Sequence, residues 1–242
     1  MSPFLQWNKN RDTKKIISRF PIRFRHYYEP FLNAGEVFLN LYHNARIFEK
    51  AFLSSSNSDL IRAWIAVKDE PERLQKIILS YCEKNSKQFF ENMKNASGSP
   101  SAYIYVNKAS NHRGQWRESQ FIDKNKEISK DVSDIDICSR YLARWCHSIR
   151  NIDWEMALTE ANDGDVVWLE PPKIVATADG RIDYVTNGFN ESNHVYLNNF
   201  CKQLAIKGVK VFLCQSNTTG THRVLGDKYQ LDLVEGTCVY DY

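Results

Sequence analysis

The chain has 242 residues and a mass of 28.2 kDa, enough for one α/β domain with a small inserted subdomain. Hydrophobic residues at 43% support a large core, and 25% charged residues are ordinary for a soluble protein. A net charge of +3 with pI near 8.4 is too mild to imply a nucleic-acid partner by itself, no apolar run reaches membrane-span length, and six cysteines without a CxxC pair fit neither a zinc site nor a dense disulfide framework.

Polar and basic sequence follows Met1 directly, so no signal peptide is expected, and reduced thiols suit a cytoplasmic compartment. Lys9, Arg11, Lys14, Lys15, Arg19, Arg23 and Arg25 crowd the first 25 residues against Asp12 alone. Either a phosphate-facing patch or a solvated helix face explains them. Asp12 to Phe20 has helical spacing, with Ile16, Ile17 and Phe20 on one side and Pro21 as the stop. Tyr27 to Phe31 reads as a short strand, Asn33-Ala34-Gly35 as a turn, Glu36 to His43 as a helix and Ile47 to Leu53 as a second strand. Ser58 to Met93 reads as helices, and Asn95 to Pro100 as a loop. Tyr103 to Val106 is a short apolar run, and Asn107 to Lys130 an exposed polar loop or hairpin. Ile135 to Arg150 returns to helical spacing, which would make Cys138 and Cys146 helix-core thiols two turns apart.

The last third is the clearest. Asp163-Gly164-Asp165 is a turn into a buried strand, Val166 to Leu169. His194 to Lys207 is an amphipathic helix with Val195, Leu197, Phe200, Leu204 and Ile206 apolar, ended by Gly208 before the strand Val209 to Cys214. Leu231 to Val234 and Thr237 to Tyr240 suit a hairpin around Glu235-Gly236. Strand–helix–strand order points to a doubly wound α/β sheet. His26, His43, His147, His194 and His222 show no ligand spacing, so no metal site is expected.

Several segments, in order, resemble the Dam-type (D12 class) DNA adenine-N6 methyltransferases. Tyr28-Glu29-Pro30-Phe31-Leu32-Asn33-Ala34-Gly35-Glu36-Val37-Phe38-Leu39-Asn40 is similar to the family's E-P-F-x-G-x-G-S-V-F-L-N, and Phe4-Leu5-Gln6-Trp7 to its F-L-K-W. Asn57-Ser58-Asp59-Leu60-Ile61 matches N-x-D-L-I. Asp165-Val166-Val167-Trp168-Leu169-Glu170-Pro171-Pro172 resembles D-V-V-Y-x-D-P-P. Tyr184, Asn187-Gly188-Phe189 and Leu213 to Thr218 follow at the family's spacing. The resemblance implies a Rossmann-like class I methyltransferase core at 1–60 and 153–242, with an inserted, mostly helical DNA-recognition subdomain at 61–152. It also implies S-adenosylmethionine as cofactor and duplex DNA as partner, with the target adenine flipped out.

Site residues carried over from the resemblance are Trp7, Phe31, Asn33, Gly35 and Ser55 for the cofactor, and Glu170, Pro171, Pro172 and Lys173 for catalysis. Asn107, Lys108, Arg113, Trp116 and Arg117 fall where the family touches nucleic acid, and Lys9 and Arg11, from the basic N-terminal stretch, join them as candidate nucleic-acid contacts. In the family's D-P-P-Y loop the acid and the first proline carbonyl accept from the target amino group, and the aromatic residue stacks on the base, a contact worth roughly 1–3 kcal/mol.

This sequence departs at each of those points. A-G-G-K reads Asn8-Lys9-Asn10-Arg11, the first turn glycine is Asn33, and the ribose-binding acid falls near Ser55. Glu170 is one methylene longer than Asp, a displacement of about 1 Å that can cost on the order of 10²-fold in rate. Lys173 offers no flat face and adds a cation beside a sulfonium. Independent losses of this kind describe a pseudoenzyme whose cofactor binding is weak or lost. It would act on DNA or through a protein partner, for example as the inactive half of a heterodimer. An active adenine methyltransferase with variant motifs, and a pure protein-interaction module, stay open beside it.

Overall fold

A computed structural model describes residues 13–96, 98–110, 120–123, 125–176, 182–184, 189–226, 230–234 and 237–242. In chain order the elements are α1 (Thr13–Ile17), β1 (His26–Glu29), α2 (Glu36–Asn40), a 3₁₀ turn (Tyr42–Asn44), β2 (Lys50–Ser54), α3 (Ser58–Asp69), α4 (Pro71–Glu83), α5 (Lys87–Lys94) and α6 (Pro100–Lys108). Next come α7 (Asn125–Val132), α8 (Asp134–Trp145), β3 (Cys146–Arg150), α9 (Trp154–Ala157), β4 (Val166–Leu169), β5 (Ile174–Ala176) and β6 (Ile182–Tyr184). The chain ends with α10 (Glu191–Ile206), β7 (Lys210–Ser216), α11 (Thr219–Leu225), β8 (Gln230–Val234) and β9 (Thr237–Asp241).

The chain divides into two compact units. Among the described residues one comprises Leu32–Asn40 and Leu53–Asp153, and the other residues 13–31, Leu41–Phe52 and Trp154–Tyr242.

The second unit is built on a sheet with neighbours in the order β2-β1-β4-β7-β9-β8. β4 pairs parallel with β1 and β7, while β9 runs antiparallel to β7 and β8. This is the mixed, mostly parallel sheet expected of a Rossmann-like methyltransferase fold. Val166–Leu169 is buried at every residue, because a parallel strand covered on both faces has no polar side to offer. One face carries Tyr28, Val167, Leu169, Val211 and Leu213 against Leu197, Cys201 and Leu204 of α10. On the other, Phe20 stacks on Phe212 at 4.4 Å and lies 6.2 Å from Trp168.

α10 starts on a capping box in which Asn190 and Asn193 satisfy each other's backbone N–H groups. Its buried face is His194, Leu197, Asn198, Cys201 and Leu204; Val195 and Ile206, expected to be apolar contacts, are exposed at 42% and 87%. Asp165 enters β4 with both oxygens engaged: it accepts from Arg25 Nε and Nη2 at 2.9 Å, from the His26 N–H at 3.1 Å and from the Asn162 N–H at 2.9 Å. The carboxylate holds the Arg25 guanidinium above its ordinary pKa through hydrogen bonding and charge.

The first unit is helical around α6, whose residues 101–108 are all buried and which packs on α3, α4 and α5. Pro71 and Pro100 open α4 and α6, and Asn57 caps α3 by accepting from the Asp59 and Leu60 N–H groups. Tyr81, Phe89 and Tyr105 meet edge to face, and the Tyr105 hydroxyl donates to Asn85 Oδ1 at 2.6 Å.

Two segments depart from their sequence pattern. Helical spacing does not continue to Arg150: α8 stops at Trp145, and Cys146–Arg150 forms β3, so Cys146 is a strand residue rather than a helix-core thiol. Ser55 N–H donates to the Arg150 carbonyl, and Asn151 Nδ2 to the Ser55 carbonyl, so pairing with the end of β2 overrides the local pattern. Nor does an exposed loop begin at Asn107. Asn107 and Lys108 complete α6 at 3% exposure each, residues 125–132 are helical as α7, and Ser110 forms an antiparallel bridge to Phe121.

Candidate active site

The end of β4 delivers Glu170, Pro171, Pro172 and Lys173, between the parallel neighbours β1 and β7. Open α/β sheets present their chemistry at these carboxyl ends. The Glu170 and Lys173 side chains are 13% and 26% exposed, with Lys173 Nζ 3.8 Å from Glu170 Oε1. The same ammonium donates to the Cys214 carbonyl at 3.2 Å and lies 3.5 Å from Cys214 Sγ.

Gln215, fully buried on β7, straps this loop. Its Nε2 donates to the Pro172 carbonyl at 3.0 Å, and its Oε1 accepts from the Ile174 N–H at 3.1 Å. Sequence reasoning missed this residue. The signal was a lone amide at the end of the apolar run Val209 to Cys214.

Phe31 stacks on Trp154 at 6.2 Å and meets Phe189 edge-on at 5.9 Å. Glu29, at the end of β1, is buried and accepts from the Tyr27 hydroxyl at 2.8 Å.

In the helical unit, Asn33 and Gly35 form the turn before α2, with Gly35 at φ +62°. Trp64 Nε1 donates to the Asn33 carbonyl at 3.0 Å. A Cβ on Gly35 would stand 2.9 Å from Trp64 Cζ2, so the ring occupies that space. Ser55 Oγ accepts from the Asn57 N–H at 3.3 Å. Lys108 Nζ pairs with Asp131 Oδ2 at 2.9 Å, where burial lowers the lysine pKa and the aspartate opposes that shift. Trp7, Lys9, Arg11, Arg113, Trp116 and Arg117 lie outside the described residues.

A model of the D12 class N6 adenine-specific DNA methyltransferases matches residues 8–235. The chain belongs to this family. It is 27% identical over 258 residues to the type II methyltransferase M1.LlaDCHI of Lactococcus lactis subsp. cremoris, across 98% of this chain and 88% of that protein. It is 22% identical over 246 residues to the type II methyltransferase M.MjaIII of Methanocaldococcus jannaschii, across 89% and 84% respectively. Membership implies S-adenosylmethionine as the family's methyl donor and DNA as its substrate. Among the described residues no group of three His, Cys, Asp or Glu is disposed to hold a metal, and no helix is long and apolar enough to cross a membrane.

Proposed function

We propose that this D12-class chain is catalytically impaired and acts by binding duplex DNA, alone or as the inactive half of a heterodimer. The observation that carries the reading is the Lys173 ammonium, 3.8 Å from Glu170 Oε1 and bonded to the Cys214 carbonyl. The family's chemistry needs the acid free to accept from the target amino group and an aromatic face for the flipped base. A cation beside the acid weakens the first, and a lysine cannot supply the second.

S-adenosylmethionine fits the residues at the family's cofactor positions poorly. Ser55 brings a hydroxyl, bonded to the Asn57 N–H, where ribose hydroxyls would meet a carboxylate. The Asn33 carbonyl is taken by Trp64, and Gly35 is retained for packing against that ring. Cofactor binding is therefore weak or lost.

Residues 61–152 serve as the recognition region in this reading. Arg113, Trp116 and Arg117, with Lys9 and Arg11, make the DNA contacts, and Asn107 and Lys108, which precede them in the chain, are buried. A cytoplasmic, DNA-associated location follows.

Labelled methyl transfer to unmethylated duplex DNA, calorimetry with S-adenosylmethionine and DNA retention test the reading together. Expected are no turnover, cofactor affinity weaker than micromolar, and DNA retention lost on charge reversal at Arg113 and Arg117. Turnover that disappears in Glu170→Ala would instead establish an active enzyme with variant motifs, a reading favoured by the carboxylate kept at the end of β4. Absence of DNA retention would leave a protein-interaction module.

A further inference from the structure

Lys173 is bracketed by two backbone groups, the Pro172 carbonyl and the Ile174 N–H, both bonded to the side chain of Gln215. Cys214 immediately precedes Gln215, and both are fully buried on β7 between β4 and β9. This double strap holds Lys173 Nζ 3.5 Å from Cys214 Sγ. Groups held in place this way react at effective concentrations far above those in solution.

We propose that Lys173 and Cys214 form a site of reversible oxidative cross-linking, an N–O–S bridge between the Nζ amine and the Sγ thiol. A disulfide does not compete well. Cys238 is the cross-strand partner of Gln215, and Cys214 that of Val239, so the two thiols project from opposite faces of the sheet. The partly exposed Lys173 side chain gives a small oxidant its approach.

Dioxygen is the oxidant. After the ammonium releases a proton to solvent, one N–H, the S–H and the O–O bond break, and N–O and O–S bonds form. The second oxygen atom leaves as water. Nitrogen and sulfur each give up two electrons, and dioxygen takes up four. Two molecules of a dithiol reductant reverse the change, returning amine, thiol and water. Bridging removes the cation beside Glu170, and it occurs whether or not the chain methylates DNA.

Intact mass measurement and peptide mapping of the full chain after incubation in aerated buffer test the proposal. The expected result is a gain of about 14 Da, one oxygen added and two hydrogens lost, distinct from the steps of about 16 Da on the thiol oxidation ladder. The peptides holding Lys173 and Cys214 should be joined, and a dithiol should release them. The product should persist in Cys238→Ser and vanish in Lys173→Arg and Cys214→Ala. Oxygen added to Cys214 with Lys173 unmodified, a disulfide joining Cys214 to Cys238, or no joined peptide in the aerated wild-type chain would each overturn it.

Discussion

Trp64 Nε1 donates to the Asn33 carbonyl at 3.0 Å while the same ring fills the space beside Gly35. One side chain from α3 thus ties down the turn that follows β1. Gly35 is at φ +62°, where an L side chain costs about 1–2 kcal/mol, and the Cβ would also press on the fully buried ring. Gly35→Ala should lower the urea unfolding free energy by about 3 kcal/mol, since overpacking typically adds 1–3 kcal/mol. An unchanged midpoint would show that the turn relaxes freely.

Asp165 is fully buried and accepts four hydrogen bonds that join the start of β1, the turn before β4 and Arg25. Asp165→Ala should destabilise by about 3 kcal/mol, because removing one partner of such a network leaves the others unsatisfied. Chemical denaturation monitored by tryptophan fluorescence would measure it.

The Lys108–Asp131 pair is asymmetric, with side chains exposed by 3% and 24%. Removing the lysine leaves a carboxylate that water can reach; removing the aspartate leaves an ammonium that water cannot. Asp131→Ala should therefore cost about 3 kcal/mol at neutral pH, and Lys108→Met less. Burial already lowers the Lys108 pKa, so without Asp131 the unfolded chain holds more protons than the folded one up to about 10.5. The stability of Asp131→Ala should accordingly rise as pH approaches that value. A pH-independent loss would sink the argument.

His194 is fully buried beside Phe189, and burial pushes its imidazole down to about 4. In the unfolded chain it titrates near 6.5, so between those values the unfolded state binds a proton that the folded state refuses. Stability from this group is complete above pH 6.5 and falls as pH drops toward 4, by at most about 3 kcal/mol. Wild type and His194→Gln, compared by thermal unfolding at pH 7 and pH 5, should differ in pH slope, with the variant flatter.

The sequence by itself determined the parts whose causes are local. The apolar runs at Val166–Leu169 and before Ser216 could only be covered strands, Gly208 closes α10 in a left-handed conformation, and β8 and β9 pair as their turn residues implied. Family motifs in order located the Glu170–Lys173 loop at the end of β4. Tertiary structure decided what depends on partners distant in the chain. Strand pairing, not helical spacing, claimed Cys146–Arg150, and docking among α3, α4 and α5 buried Lys108 at the start of a segment that reads as exposed. The loop Pro172 to Ile174 meets Cys214 and Gln215 across sequence separations of 41 to 43, through the bonds of Lys173 to Cys214 and of Gln215 to Pro172 and Ile174. No periodicity encodes such contacts, because they exist only once parallel strands bring two remote segments, the loop after β4 and the end of β7, to the same edge of the sheet.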